Sequence, residues 1–576
     1  DMGGPSGGFE MVDARDISNK QKQIAVSEFF EKNKHFLGFD SLQRSLITAV
    51  KEAVDNSLDA CEETRILPEI KIEINRLNGD DIELISQDNG PGIPRDAIEN
   101  VFGKFLLGSR FHAIRQTRGQ QGIGITGVVM YAQLTTGAKT RVISKISKES
   151  SAVFVELGLD TRKNKAIKSK ERRELWEDGN TGEEIPHGLK ISTVMKAKYQ
   201  RGKQSVFQYL RMTSIVNPHA TISLIVRDRD GEVIEEAKWI RTSERLPRVV
   251  EEIKPHPHGI QLGTLQRMLR ESEEKRMTSF LRHNFSGVSM RAAKELLSVS
   301  EIEEARNPKR INSEDAKKLI DAFQKIKLLP PPTDCLSPID DLLIKKGLSK
   351  AIDSRFASTV TRLPTVSQGN PFQIEVGLVF GGDLSADGPI EVLRFANRVP
   401  LMYQQGGCAL TKAIESINWK QYGLDHPGGK GLPKGAAAVL IHLASTNVQF
   451  TSEAKEAVSD NEEVTAEIRK GLLEVGRGLK NHLKKNTQRK KAREKFELVN
   501  VILPEIAKKT SKILGREEPD LAPVITQIMN AVFCEEELGW DKERKLATCS
   551  IKVFNYTARA RACLLYTSDA ADERHC

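Results

Sequence analysis

The apolar positions of this chain change period several times, and each change marks a change of element. Over residues 17–62 the segment reads as helix, with Leu42, Leu46, Ala49, Ala53 and Ala60 recurring at helical spacing. Past residue 68 the period falls to two. EIKIEINRL and DIELISQD alternate apolar and polar residues across Asn78-Gly79, the signature of a hairpin turn. Strand-like runs follow at about 141–157, 190–195 and 220–227. A polar helical block over about 240–330 must stop at Pro330-Pro331-Pro332, because proline lacks the N–H that a helix interior needs. FQIEVGLVFGG and IEVLRFANRVPLMY read as strands, followed by the Gly-, Lys- and Pro-rich loop HPGGKGLPKG and the apolar strand AAAVLIHLAS. From Val464, an apolar stripe through Ile468, Leu472, Val475, Leu479 and Leu483 predicts a long helix whose continuation, KKNTQRKKAREK, is strongly basic. No repeat of fixed period is present. The order of elements predicts an α+β chain of several domains.

Composition narrows this picture. The 576 residues are enough for roughly three or four domains. With 29% charged and 39% hydrophobic residues, the chain is neither disordered nor collagenous. No apolar run approaches the ~20 residues of a bilayer span, and DMGGPSGGFE lacks a signal-peptide pattern, so a soluble, intracellular protein without membrane association is expected. Cys61, Cys335, Cys408, Cys534, Cys549, Cys563 and Cys576 are scattered without a CxxC pair, which supports neither zinc nor a disulfide framework. The net charge of +9 hints at an acidic partner such as nucleic acid, but many soluble proteins carry as much. The closing string CLLYTSDAADERHC matches nothing before it in pattern. Residues 563–576 read as a non-native tail, and Met11 as a native start.

Three segments carry candidate chemistry. On LITAVKEAVDNSLDA, Glu52, Asn56 and Asp59 fall at i, i+4 and i+7 and share one helix face. A carboxylate there can polarise a water, and an amide oxygen is a hard ligand suited to Mg²⁺ beside phosphates. In DNGPGI, Asp88 can accept hydrogen bonds while Gly90 and Gly92 allow close backbone approach. TRGQQGIGITG then precedes a helix-like VVMYAQL, so backbone N–H groups and a helix N-terminus could meet a polyphosphate. Taken singly, each has an ordinary reading as a solvated face or a turn. Residues 122–127 also fit G-x-G-x-x-G, but they follow the polar RFHAIRQTRGQQ instead of a buried strand, so a dinucleotide fingerprint is rejected. No P-loop motif occurs.

Together and in this order, EAVDNSLDA, DNGPGI and GQQGIGITG resemble the three signature boxes of the GHKL ATPase superfamily. That resemblance implies ATP and Mg²⁺ as cofactors. It gives Glu52 the activation of the attacking water, Asn56 the metal, Asp88 the adenine amino group, and the run Gly119, Gln120, Gln121, Gly122, Ile123, Gly124, Ile125, Thr126 and Gly127 the phosphates. Asp59, Gly92, Lys104, Gly108 and Ser109 complete the implied ATP-binding set. Where the family often has a Gly-Thr pair, this chain has His187-Gly188-Leu189; the hydroxyl is missing at Leu189, and Thr193 is the nearby alternative.

GKFLLGSRFH, PPPTDCLSPI, RFANRVPLMY and NWKQYGL further resemble the B subunits of type IIB topoisomerases, from about Ile17 to Thr510. The resemblance implies a GHKL (Bergerat) α/β sandwich over 12–235, a helix-two-turns-helix domain over 236–330, a ribosomal S5-like transducer with its long helix over 331–496, and a region toward the A subunit over 497–562. It also implies an A2B2 heterotetramer, dimerisation of the ATPase domains on ATP binding, capture of a DNA duplex, and a cytoplasmic, nucleoid-associated protein of archaeal type. VQFTSEAKEAV resembles the segment whose lysine meets the γ-phosphate, which assigns Lys455 to catalysis, with Lys430 and Lys434 as alternatives. Trp419, Lys420 and Tyr422 form a WKxY string that touches DNA in this family, although an aromatic pair can equally pin a loop to the core. Lys484, Lys485, Arg489, Lys490, Lys491 and Arg493 could line a DNA cavity or simply solvate a helix. Two rivals stand beside this reading: a MutL-like repair ATPase, disfavoured by the helical block and PPPTDCLSPI, and a chaperone-type clamp.

Overall fold

The computed structural model describes residues 30, 32, 34, 35, 37–104, 114–119, 124–160, 165–179, 181–452, 455–529, 531–541 and 546–556. The helix expected before residue 30 and the 563–576 tail lie outside them.

Helix α1, Leu42–Glu63, starts where Ser41 caps it by accepting the Arg44 N–H at 3.3 Å. One of its faces buries Leu46, Val50, Val54 and Leu58, which leaves Glu52 and Asn56 on another. The predicted hairpin forms as β1, Glu69–Arg76, and β2, Asp81–Asp88, paired antiparallel with Ile70 opposite Asp88. Gly79 supplies the positive φ of 64° that its turn requires. Short helix α2, Arg95–Gly103, and α3, Gly124–Thr136, follow. Strands β3 (Thr140–Lys145), β4 (Ala152–Asp160), β5 (Lys165–Glu174) and β6 (Gly188–Lys196), helix α4 (Val206–Val216), and strands β7 (Thr221–Arg227) and β8 (Val233–Trp239) complete the domain. The eight strands run β5-β4-β3-β6-β2-β1-β7-β8. Their alternate residues, among them Ile70, Ile72, Ile82, Leu84 and Leu224, bury against α1 and α3 in one core.

The block ending at Pro330 is helical as expected: α5 (Leu262–Glu271), α6 (Met277–Asn284), α7 (Met290–Val299) and α8 (Ser313–Lys325) enclose a separate core around Leu265, Phe280, Leu296 and Phe323. Beyond it come α9 (Asp341–Ala351), β9 (Phe356–Thr361), β10 (Thr365–Ser367), β11 (Asn370–Phe380), β12 (Glu391–Ala396), β13 (Val399–Pro400), α10 (Ala409–Glu415) and β14 (Ala437–Ser445). The second sheet runs β10-β11-β14-β12-β13, with β9 on β11. A shared cluster seats this domain against the first, since Met212, Ile215 and Val216 of α4 pack with Ile344, Leu348, Leu393 and Leu440.

Helix α11, Glu462–Leu514, is the predicted long helix. Its buried stripe stops at Leu479, and Leu483 is only half-buried. The chain divides into two compact units at that point, the first ending at Leu479 and the second starting at Lys480. The second holds the remainder of α11, helix α12 (Ala522–Met529) and a hairpin of β15 (Ala531–Asp541) and β16 (Leu546–Tyr556). No helix among the described residues is long and apolar enough to cross a membrane.

Candidate active site

A cavity of about 740 Å³ opens between α1, the end of β2, the start of α3, β6 and the loop after β14. Glu52, Asn56, Asp59, Asp88, Gly92, Gly119, Gly124, Ile125, Thr126, Gly127 and Lys455 all line it. The fold thus gathers three motifs and one distant lysine around a single space. Gln120, Gln121, Gly122, Ile123, Gly108 and Ser109 lie outside the described residues. Lys104 is not among the lining residues; its carbonyl accepts the Thr126 hydroxyl at 3.3 Å, which helps pin the start of α3 to the end of α2.

At the cavity floor, Asp88 Oδ2 accepts the Ser57 hydroxyl at 2.6 Å and Oδ1 accepts the Gly90 N–H at 2.9 Å. Burial pushes its carboxyl up, and these donors partly offset that rise. A carboxylate fixed in this way can still accept from an amino group. Register places Leu189 of β6 directly opposite Asp88, on the cavity wall. Thr193 does not take the missing hydroxyl role: it is buried four residues further along β6, with its hydroxyl against Thr140 at 3.2 Å. Gly92 holds φ at 68°, and a Cβ there would fall 2.3 Å from the Lys145 carbonyl, so only glycine fits this turn.

Glu52 reaches across to the start of α3, where a Cβ on Gly124 would lie 1.9 Å from its Oε2. Asn56 is exposed to the cavity on the same helix face. Asp59 also lines the space, but its carboxylate is occupied by Arg118, whose Nη1 donates to it at 2.6 Å. Through this bond Asp59 also anchors the residue before Gly119.

Arg118 is a site residue that spacing did not single out. Its Nη1 and Nη2 also donate to the two Glu62 oxygens at 2.7 and 2.6 Å, and Nη2 donates to Asn217 at 2.7 Å. Burial alone would raise the Glu62 carboxyl, yet the Arg118 charge and its hydrogen bonds hold it well below the usual range. The Lys455 Nζ donates to the Arg118 carbonyl at 3.1 Å. Burial lowers this lysine's affinity for its proton, and neighbouring Lys51 lowers it further. Lys455 is half-buried in the first unit although it comes from the transducer segment, whereas Lys430 and Lys434 are exposed and absent from the cavity lining. Next to it, Glu456 accepts from Arg44 of α1 and, at 2.9 Å, from Gln404.

The structure corrects part of the expected DNA surface. Trp419 is fully buried and donates its ring N–H to the Ile414 carbonyl at 2.8 Å. Tyr422 is buried beneath α11, where a Cβ on Gly476 would come within 3.0 Å of its ring. Neither ring can stack on a base without unpacking, so the pair pins its loop to the core. Lys420 is exposed between them. Lys484, Lys485 and Arg489 are exposed on α11 in the second unit.

Comparison with known proteins agrees with this geometry. Residues 41–161 match the "Histidine kinase-, DNA gyrase B-, and HSP90-like ATPase" family, and residues 331–495 match "Topoisomerase VI B subunit, transducer". The B subunit of type 2 DNA topoisomerase 6 from Methanococcoides burtonii is 47% identical over 95% of this chain and 86% of its own length. Those from Archaeoglobus fulgidus and Pyrococcus horikoshii are 44% and 35% identical over 96% and 92% of this chain, and 89% and 98% of theirs. Fold and cavity together define a GHKL-type nucleotide-binding ATPase joined to a transducer domain. Within that class, the chain belongs to the family of type 2 DNA topoisomerase 6 B subunits.

Proposed function

We propose that the chain is the ATP-binding and ATP-hydrolysing subunit of a type IIB DNA topoisomerase, its nucleotide held in the 740 Å³ cavity. The observation that carries this reading is the meeting of Glu52, Asp88, the start of α3 and a transducer lysine around one space. Asp88 accepts the adenine amino group, while the backbone at Gly119 and from Gly124 onward faces the phosphates. Glu52 takes the proton of a water whose oxygen bonds to the γ-phosphorus as the bond to the bridging oxygen breaks, leaving ADP and orthophosphate. Lys455 places a cation at the γ-phosphate only while the transducer is docked. The donor set suits Mg²⁺, since Asn56, lining the cavity on the same helix face as Glu52, would hold the ion through its amide oxygen. When bound, Mg²⁺ neutralises charge on the phosphates.

ATP binding then dimerises two B subunits around a DNA duplex. Hydrolysis releases the transducers, which move two A subunits that make the double-strand break, so that DNA is relaxed and decatenated. The basic stretch 484–493 and Lys420 supply phosphate-directed contacts on this reading. The family match over both domains leaves the MutL-like and chaperone readings without an observation of their own.

Glu52→Ala tests the assignment. ATP binding should persist while turnover falls by roughly a hundredfold or more, the scale of a general base. Undiminished hydrolysis by the variant, reconstituted with an A subunit, would remove Glu52 from this role. ATP-dependent relaxation or decatenation by that reconstituted complex tests the wider function.

A further inference from the structure

Lys455 holds a backbone conformation that lysine seldom takes. Its φ is 55°, in the left-handed region where a Cβ crowds the following carbonyl, and such a residue persists only where its surroundings over-determine it. The turn that carries it closes at its base, where the Thr451 N–H donates to the Ala457 carbonyl at 2.9 Å and the Lys455 N–H to the Ser452 carbonyl at 3.1 Å. Neither bond reaches α1, the helix that carries Glu52.

The next residue makes that connection. Glu456 is buried and both of its oxygens meet donors: Oε1 accepts from Arg44 Nη2 in the first turn of α1, and Oε2 accepts from Gln404 at 2.9 Å. Arg44 is itself braced, since its Nη1 donates to Asp40 at 2.5 Å and its guanidinium carbon lies 5.0 Å from the centre of the Tyr403 ring. Gln404 is braced in turn, accepting the Thr451 hydroxyl at 3.1 Å. Arg44, Tyr403 and Glu456 all line the nucleotide cavity beside Lys455. A bare carboxylate one residue from Lys455 would repel a phosphate, but the Arg44 charge offsets it, and a charge-assisted hydrogen bond of this kind is a strong one.

We infer that Arg44 and Glu456 are positioning residues: their buried ion pair, joining segments 412 positions apart and braced by Gln404 and Tyr403, fixes the Lys455 backbone against α1 so that its ammonium is aimed into the nucleotide cavity. The inference rests on the nucleotide reading above and deepens it. Neither residue takes part in bond cleavage; each acts through Lys455.

The test uses the full chain reconstituted with an A subunit. Glu456→Ala should lower kcat about tenfold while KM for ATP stays within about threefold, and Glu456→Gln, which can still accept from Arg44, should recover part of the loss. Added to Lys455→Ala, the Glu456→Ala change should cost no further turnover, because the group it positions is gone. A pair that only staples the fold would instead reduce the melting temperature and lower turnover equally with or without Lys455. Position is read without ATP by acetylating the nucleotide-free chain and following Lys455 by mass spectrometry. Glu456→Ala and Arg44→Met should each label it several-fold faster, with Lys430 and Lys434 as unchanged references. Turnover of Glu456→Ala within about twofold of wild type, a loss undiminished in the Lys455→Ala background, or unchanged labelling of Lys455 would overturn the inference. Normal turnover by Lys455→Ala alone would instead remove the lysine from the γ-phosphate, and the labelling would still decide whether Arg44 and Glu456 set its position.

Discussion

A single hydrogen atom on Gly124 leaves room for the Glu52 carboxylate, since a Cβ at that position would fall 1.9 Å from Oε2. The clash involves only the tip of a flexible side chain. Gly124→Ala should therefore displace the carboxylate at little cost in stability and lower ATP turnover about tenfold or more, a loss visible in steady-state hydrolysis with an unchanged melting temperature. One turn of α1 away, Asp55 is buried, accepts the Tyr209 hydroxyl at 3.1 Å, and has its carboxyl pushed up to about 7, mainly by burial and against the pull of Lys51. An unfolded chain loses this proton near 3.8, while the folded chain keeps it to about 7. The folded state thus binds more protons between those values. The group's contribution is full below 3.8 and is lost as pH rises toward 7, by about 1.4 kcal/mol for each pH unit in between. Asp55→Asn should flatten that part of the pH dependence and raise stability at pH 8, as measured by denaturant unfolding at several pH values. At this scale the sequence was readable where a motif names a role, as for Glu52, Asn56 and Asp88. It was silent on Asp55 and Ser57, whose importance comes from what packs over them.

Elements were legible wherever periodicity was strong. The β1–β2 hairpin, the helical block ending before Pro330 and the apolar strand β14 appear where alternation, proline and hydrophobic runs put them. The stripe on α11 ended one turn early because Leu483 leaves the packed unit. WKxY was left open between DNA contact and core: its Tyr422 ring faces a glycine on α11, and no local pattern tells a stacked base from a packed helix. The stem 114–119 depends entirely on long-range partners. Gln116 exchanges hydrogen bonds with Ser337 at 3.2 and 2.7 Å, its N–H donates to the Cys335 carbonyl at 2.9 Å, and Arg118 joins α1 to Asn217. Arg118→Met would leave Glu62 and Asp59 without their buried cation and should destabilise the first unit by about 3–5 kcal/mol. Adding Glu62→Gln should recover part of that loss, and a double-mutant cycle in urea would measure the recovery.

For the first unit as a whole, the two domains communicate through buried polar groups. Arg398 donates to the Val216, Ser337 and Pro338 carbonyls, and burial lowers its pKa to about 10. Its backbone N–H donates to His442 Nε2 at 3.0 Å, and the other ring nitrogen meets Glu375 at 2.7 Å, so the imidazole is the neutral tautomer with its proton on Nδ1. Burial depresses the His442 pKa, in agreement with that assignment. Lys455 is where this frame touches the nucleotide cavity. Lys455→Ala should leave nucleotide binding through Asp88 within a few-fold of wild type, yet reduce hydrolysis and nucleotide-driven dimerisation by tenfold or more. Binding by calorimetry against turnover and dimerisation by light scattering would separate the two effects. By itself the sequence determined the class of fold, the three motifs and their chemistry, because helical spacing, turn residues and glycines act over a few positions. Tertiary structure alone decided that Lys455 and not Lys430 or Lys434 enters the cavity, that Asp59 holds Arg118, and that Trp419 and Tyr422 are core. These outcomes depend on which segments meet in a buried space, from Asp59 and Arg118, 59 positions apart, to Lys455 and Arg118, 337 apart, and burial makes an unpaired charge there costly.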